Sequence, residues 1–314
     1  MDTPVIRKGQ GSVKLTRDEF ARRLSERFSD PAFDVVRPEV EKVIDLAWQS
    51  YDEYRKSPRT RKAGPGFANP DFSLPVEWLD THDRIQAAAR EQADSSTRSR
   101  ILVVAGAARH DQTCPGEMSK TFRLAQAVKE QIDAADFACD LLDLGLLTAE
   151  YGRQILPCKA CVSTAMPLCH WPCSCYPNHA LGQVNDWMNE IYPRWVAAHG
   201  VIIVTPVYWY QAPAVLKLMM DRLVCADGGN PDPTTTHGKK PEEAKALELK
   251  GWPYPRHLAD RVFGVIVHGD TEGAETLRRS LADWLTDMSL VQASRTAEVD
   301  GYVGYVASCV IAHL

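Results

Sequence analysis

From Ile101 onward the chain alternates short, wholly apolar runs with segments whose apolar residues recur every three or four positions. An unbroken aliphatic run is the mark of a strand buried on both faces, and the wider spacing is the single stripe of a helix turned toward a core. ILVVAG (101–106), FACDLLDL (137–144), VIIVTP (201–206) and RVFGVIVHG (261–269) are therefore predicted strands, with VQASRTAEV (291–299) as a fifth. One helix is predicted from about Ser119, with Leu124, Val128 and Ile132 on its stripe, and another carries Leu181, Val184, Met188, Ile191 and Trp195. A third opens with Pro213, in a first turn that does not need its missing N–H, ahead of Val215, Met219 and Leu223. The fourth turns Leu277, Leu281, Trp284 and Met288 inward. Strand and helix alternating in this way imply a doubly wound α/β domain, a parallel sheet of five strands with helices on both faces.

Residues 1–98 have a different texture, charged helical stretches broken by Pro, Gly and Asn. TRDEF starts a helix with Thr16 as N-cap and Glu19 as its capping-box partner. A second helix is predicted from Pro38 to about Lys56 with Val40, Val43, Ile44, Trp48 and Tyr51 near one face, and a third from about Val76 to Ala93. The Pro- and Gly-rich segment 57–75 between them reads as a linker or wrapping arm. This division gives a helical extension and linker over 1–98 and the α/β domain over 99–314, with an insertion at about 226–260.

Composition narrows the field. With 45% hydrophobic and 25% charged residues the chain is globular, and a net charge of −5 argues against a nucleic-acid partner. No run has the length of a membrane span, and MDTPVIRKGQ lacks the apolar core of a secretory signal, so a soluble, cytoplasmic protein with no membrane partner is the expectation. In that reducing compartment nine cysteines read as thiols, metal ligands or redox groups before they read as a disulfide framework.

In a doubly wound sheet the ligand lies beyond the carboxyl ends of the strands, which selects the loops 106–118, 206–212 and 268–273. The first, GAARHDQTCPGEMSKTFRLA, has neither a G-x-G-x-x-G fingerprint nor a P-loop. It offers Arg109, then Ser119, Lys120 and Thr121 at a helix start, where free N–H groups, hydroxyls and the helix dipole can hold a phosphate; plain capping is the other reading. The second, TPVYWYQAPAVLKLMMDR, places Tyr208, Trp209 and Tyr210 at the ligand edge, where a flat conjugated molecule would suit them. The third, VHGDTEGAET, combines close-approach glycines with His268, Asp270 and Thr271; without a nucleophile elbow, its His and Asp do not make a serine hydrolase.

Taken in order, GAAR…SKT, PCKAC, TPVYWYQAPAVLKLMMDR and VHGDTEG resemble the NAD(P)H-dependent FMN reductases of the flavodoxin-like superfamily, which include the multimeric flavodoxins and iron-sulfur flavoproteins. The resemblance covers about residues 100–300. It implies a flavodoxin-like three-layer α/β/α fold, FMN as cofactor, NAD(P)H as co-substrate, and ping-pong reduction of a small-molecule electron acceptor such as a quinone, free flavin, or a nitro or azo compound. It also implies a homodimer or homotetramer. Arg109, Ser119 and Thr121 would meet the FMN phosphate, with Lys120 beside them, and Pro206, Val207, Tyr208 and Trp209 would border the ring. His268, Gly269 and Asp270 would close its other side. Amides around Val207 to Trp209 would face negative charge on the reduced ring, and no side chain is needed as acid or base. Two departures are the long HDQTCPGEM stretch and the insertion beginning GGNPDPTTTHGKK, read as a lid or subunit contact. A flavodoxin-type electron carrier without its own substrate is the alternative function.

The stretch PCKACVSTAMPLCHWPCSCYP holds Cys158, Cys161, Cys169, Cys173 and Cys175 at intervals of x2, x7, x3 and x1. Iron-sulfur flavoproteins carry a compact cysteine motif in this region; here Cys158 and Cys161 match its first pair and the other three do not fit. Four readings stand open: reduced thiols lining a loop, an iron-sulfur cluster, a zinc site, or a redox disulfide.

Overall fold

The computed structural model describes residues 7–54, 57, 59–176, 185–269 and 272–302. Helix α1 (Arg17–Ser25) starts where the Thr16 hydroxyl accepts the Glu19 N–H at 3.3 Å. The Glu19 carboxylate does not complete a capping box; it pairs instead with Arg22 and Arg23 one turn on. In α2 (Arg37–Asp52) Val40, Ile44 and Tyr51 are buried while Val43 is 51% exposed, because only one helix packs here and the covered stripe is narrow. Phe20 joins the two helices, its ring 5.5 Å from Trp48 and 4.9 Å from Tyr51. The Pro- and Gly-rich segment folds into an antiparallel hairpin of β1 (Thr60–Lys62) and β2 (Ser73–Pro75), which leads into α3 (Val76–Ala93).

The sheet begins with β3 (Arg100–Ala105), in which Leu102 and Val104 face one core and Val103 and Ala105 the other, as burial on both faces requires. Then come α4 (Lys120–Ala134), β4 (Ala138–Asp143), the short α5 (Leu146–Ala149), α6 (Met188–Ala197), β5 (Gly200–Pro206), α7 (Ala214–Arg222), α8 (Pro241–Leu249), β6 (Val262–Gly269) and α9 (Ala274–Asp287). Pro213 is the N-cap of α7 and not its first helical residue. Of the helix predicted from Leu181, the residues Leu181 and Val184 lie outside the described residues, and α6 carries Met188, Ile191 and Trp195 inward.

Strand order is β4-β3-β5-β6, all parallel, and the last position is shared by β7 (Val291–Gln292) and β8 (Glu298–Tyr302). The expected fifth strand is thus split: β7 pairs with the start of β6, β8 with its end, and Ala293 to Ala297 loop out between them. Polar Ser294, Arg295 and Thr296, all exposed, make a poor rung for a buried ladder. The order 2-1-3-4-5 reverses direction between β3 and β5, which makes that edge the switch point.

One face of the sheet carries α6, α7 and α9 over the main core, with α3 packed outside α6; α4 covers the other face over β3 to β5. Among the described residues no helix is long and apolar enough to cross a membrane.

Arg222 and Asp186 pair inside the main core at 2.5 Å, their side chains 1% and 3% exposed, and the guanidinium also donates to the Leu156 carbonyl. Removing one partner of such a pair leaves a desolvated charge without compensation. Asp186→Asn is therefore expected to cost about 3 kcal/mol in urea unfolding, against less than about 0.5 kcal/mol for Asp136→Asn in the exposed pair with Arg98.

Candidate functional site

Three loops leave the carboxyl edge of the sheet around the switch point, and one residue ties them together through its ring and its backbone carbonyl. Thr121, buried in the first turn of α4, lies with its hydroxyl 2.9 Å from Nε2 of His268 at the end of β6. The His268 carbonyl in turn accepts the Val207 N–H at 2.9 Å. His268 is 8% exposed, and its ring and its carbonyl together brace the rim. Close packing completes the junction: a Cβ on Gly106 would lie 2.9 Å from the Thr205 hydroxyl and 3.1 Å from Leu216.

At the start of α4 the Ser119 hydroxyl accepts the Phe122 N–H at 3.0 Å and the Ser119 carbonyl accepts that of Arg123. The Lys120 and Thr121 amides are left without intrahelical partners at the positive end of a 15-residue helix, beside the exposed Lys120 side chain. Arg109 is not free. Its guanidinium pairs with the Glu117 carboxylate at 2.5 Å and reaches the Glu117 carbonyl at 3.3 Å, which closes the long loop on itself. A cavity of about 210 Å³ beside this loop is lined by Arg109, His110, Asp111, Ser119 and Asp143 among others, and burial raises the Asp143 carboxyl above the usual range.

After β5, Tyr208 and Gln211 exchange backbone hydrogen bonds at 3.0 Å, so Trp209 and Tyr210 form a two-residue turn with φ of +49° and +66°. Turns with both central residues at positive φ usually hold Gly or Asn. Two aromatics there are strained, a signature of a functional position. Trp209 stands 93% exposed above buried Pro206 and Val207, with Tyr208 partly exposed at the turn's start. The Val207 and Tyr208 amides are consumed inside the rim; those of Trp209 and Tyr210 have no partner among the described residues. Of the amides expected to face the ring, Val207 to Trp209, that of Trp209 is available, and Tyr210 adds one just beyond them. The β6–α9 loop supports the turn from behind, since a Cβ on Gly273 would sit 3.0 Å from the Tyr210 Cα. The sequence marks Tyr210 as one of three edge aromatics but offers no Gly or Asn to mark the turn, and it does not single out Gly273 as its support. Gly269 ends β6, buried and paired with Tyr302; Asp270 and Thr271 lie outside the described residues.

The cysteine loop sits elsewhere. Cys158 and Val162 share a cavity with Met220, Val224, Trp284 and Met288, at the carboxyl ends of α7 and α9. Those helices run back against the strands, so their ends lie at the amino edge of the sheet, about 20 Å from the switch point for a seven-residue strand. Cys161 and Cys175 approach to 3.4 Å, whereas Cys169 is buried beside Asn230, to whose N–H its carbonyl accepts at 2.7 Å. All eight described cysteines are free thiols, and among the described residues no three His, Cys, Asp or Glu side chains converge as a metal site would require. Of the five candidate ligands Cys158, Cys161, Cys169, Cys173 and Cys175, Cys175 hydrogen-bonds both Cys161 and Cys173, while Cys158 and Cys169 stand outside that contact. Cys161 is nonetheless unusual: the hydrogen bond with Cys175, and secondarily the Lys239 charge, bring its thiol down to about 6 against the opposing effect of burial.

The rim's donor set fits a flat molecule with an anionic tail, open amides and a hydroxyl at a helix start beside an exposed aromatic turn. A family model described as NADPH-dependent FMN reductase matches residues 99–299. The iron-sulfur flavoprotein of Methanosarcina thermophila is 36% identical over 72 residues, 23% of this chain; the chain spans 31% of the length of that curated relative. Among solved structures, RosB with bound 8-demethyl-8-formylriboflavin-5′-phosphate aligns at TM-score 0.44 and 11% identity, covering 66% of each chain. A flavone reductase aligns at TM-score 0.38 and 15% identity, covering 68% of this chain and 56% of its own.

The support given by Gly273 is open to test. At φ +105° an alanine is strained and its methyl meets Tyr210 backbone, so Gly273→Ala is expected to destabilise by about 1–3 kcal/mol and to shift the emission of exposed Trp209. Urea unfolding and fluorescence read the two effects; an unchanged spectrum would show that the turn does not lean on this glycine.

Proposed function

We propose that this chain, which belongs to the NADPH-dependent FMN reductase family, is an FMN-dependent NAD(P)H oxidoreductase that passes electrons by ping-pong exchange to quinones, free flavin, or nitro or azo compounds. The observation that carries this reading is the pairing, at the β3/β5 switch point, of a helix start with open amides and a strained aromatic turn with open amides. FMN held by these loops would supply the hydride chemistry.

The chain's own part is to hold and polarise. Ser119, through its hydroxyl hydrogen, and the Lys120 and Thr121 amides would bind the phosphate, with the Lys120 ammonium adding charge. Arg109 keeps its loop closed through Glu117, and its guanidinium has further donors for the same anion. Pro206, Val207, Tyr208 and Trp209 would border the ring, with His268, Gly269 and Asp270 bounding its other side. The Trp209 and Tyr210 amides, which have no partner among the described residues, would offer preorganised donors to negative charge on the reduced ring. No acid or base is required of a side chain. We also assign assembly as a homodimer or homotetramer to α1 and α2. Lys14, just before α1, pairs with Asp52, and Arg17 pairs with Asp45, both within the chain, whereas Val35, just before α2, and Val43 and Leu46 on it are exposed.

Ser119→Asp tests the phosphate assignment without removing the helix cap, because aspartate caps as well as serine. It is expected to weaken FMN binding about a hundredfold, roughly 2.7 kcal/mol, while riboflavin, which lacks the phosphate, binds as before. Failure of the unaltered chain to bind FMN in excess would end the proposal, and FMN binding without NADPH oxidation by benzoquinone would favour an electron carrier. Deleting residues 1–54 is expected to reduce the assembly seen by light scattering while FMN binding persists. Deletion into α3 would be uninformative, since Ile85 and Ala88 belong to the main core.

A further inference from the structure

A cavity of about 500 Å³ opens well away from the rim, where three segments distant in sequence meet: the β1–β2 hairpin with α3, the cysteine loop, and residues 233–239. Its walls are tied by specific bonds. Ala68 and Asn69 donate their amides to Asp232 and Thr234 at 2.7 and 3.1 Å, and the Trp78 indole donates to the Pro172 carbonyl at 2.8 Å. His170 lies between the Ser174 and Thr236 hydroxyls at 2.6 and 3.0 Å. The volume is that of a small-molecule site, and the flavin reading has no use for it.

Two thiols open into this cavity and touch each other, Cys161 Sγ lying 3.4 Å from Cys175 Sγ. Lys239 holds its ammonium 3.6 Å from Cys161 Sγ while donating to the Leu168 carbonyl at 2.7 Å. Phe72, Leu74, Trp78 and Leu168 give the walls an apolar body. The charged side chains lining it are Lys159 and Lys239, and among the described lining residues there is no carboxylate. A nucleophilic sulfur, a second sulfur in contact, a fixed cation and an apolar wall are the parts of a thiol–disulfide exchange site.

We propose that Cys161 and Cys175 form a dithiol site that reduces a small organic disulfide bearing an apolar body and an acidic group. Cys161 attacks one ligand sulfur; the ligand S–S bond breaks, a mixed disulfide forms on Cys161, and the first ligand thiol leaves with the Cys161 proton. Cys175 then attacks the Cys161 sulfur, the mixed disulfide breaks, and the second ligand thiol leaves with the Cys175 proton. The protein dithiol loses two electrons to become a Cys161–Cys175 disulfide, and the ligand gains two to become two thiols. Lys239 stabilises the attacking sulfur and, with Lys159, selects an acidic ligand.

The full chain treated with dithiobis(nitrobenzoate), an aromatic disulfide carrying carboxylates, provides the test. Peptide mass mapping is expected to find Cys161 joined to Cys175, distinct from simple labelling of exposed Cys114. Cys175→Ser is expected to stop at the mixed disulfide on Cys161. Lys239→Met is expected to slow reaction at Cys161 at least about tenfold with this probe and less with uncharged hydroxyethyl disulfide. Labelling of Cys114 with Cys161 and Cys175 unmodified overturns the proposal, as does stable labelling of both without a bond between them. Iron and acid-labile sulfide bound by these thiols in the purified chain also overturns it. NADPH oxidation by benzoquinone on the same sample reports on the flavin site alone, and it is expected to be unchanged by the disulfide.

Discussion

The rim depends on one histidine used twice. A parallel sheet brings the carboxyl ends of its strands to one edge but leaves the loops beyond them to diverge, and a cleft of fixed shape needs something to hold those loops in register. His268 does this with its ring on Thr121 and its carbonyl on the Val207 amide, so that α4, β5 and β6 share one buried polar junction. A buried polar junction of this kind is satisfied in only one arrangement, which is why it specifies geometry more sharply than apolar packing alone. A constraint follows for function: the Thr121 hydroxyl is already engaged with the ring, and contact with an anion falls to the amides of the helix start.

Much of this architecture is legible in the chain because burial on two faces leaves little choice. ILVVAG, VIIVTP and RVFGVIVHG become β3, β5 and β6 within a residue of their predicted ends, and Ser119 caps α4. Where only one side is covered, the pattern loosens. The last strand divides into β7 and β8 around exposed polar residues, and Val43 turns to solvent on a helix with a single neighbour. Local chemistry also competes: Glu19 meets two arginines one turn on, and the capping box loses to them. Least legible is the Tyr208–Gln211 turn. Its residues carry no preference for positive φ, and it forms because the surrounding contacts, Val207 to His268 and Tyr210 against Gly273, impose it. The aromatics announce a site in the sequence, but not which amides it frees.

The second cavity lies beyond sequence reading for another reason. Its walls come from positions about 60–78, 159–175 and 233–239, and no periodicity links segments so far apart. Each looks like a loop when taken alone. Together they satisfy one another's backbone groups, Asn230 bonding Cys169 and Trp171, and Asp232 bonding Ala68. The hairpin, the cysteine loop and the residues after α7 thus act as one structure laid against the outside of the sheet.

The two edges of the sheet are electrostatic opposites, and that difference accounts for the residues found at each. Helices that return against parallel strands put their positive ends at the carboxyl edge and their negative ends at the amino edge. At the carboxyl edge α4 presents open amides to an anion, and the loop arginine can be held in an ion pair without emptying the site of positive potential. At the amino edge, where α7 and α9 end, the backbone offers no such help to an ionised sulfur. A thiolate there needs a cation of its own. Lys239 supplies it from a segment outside the strand-and-helix repeat, held by the Leu168 carbonyl within reach of Cys161. The fold by itself therefore builds the first site and disfavours the second, and the sulfur pair is tenable because added segments reverse the local field.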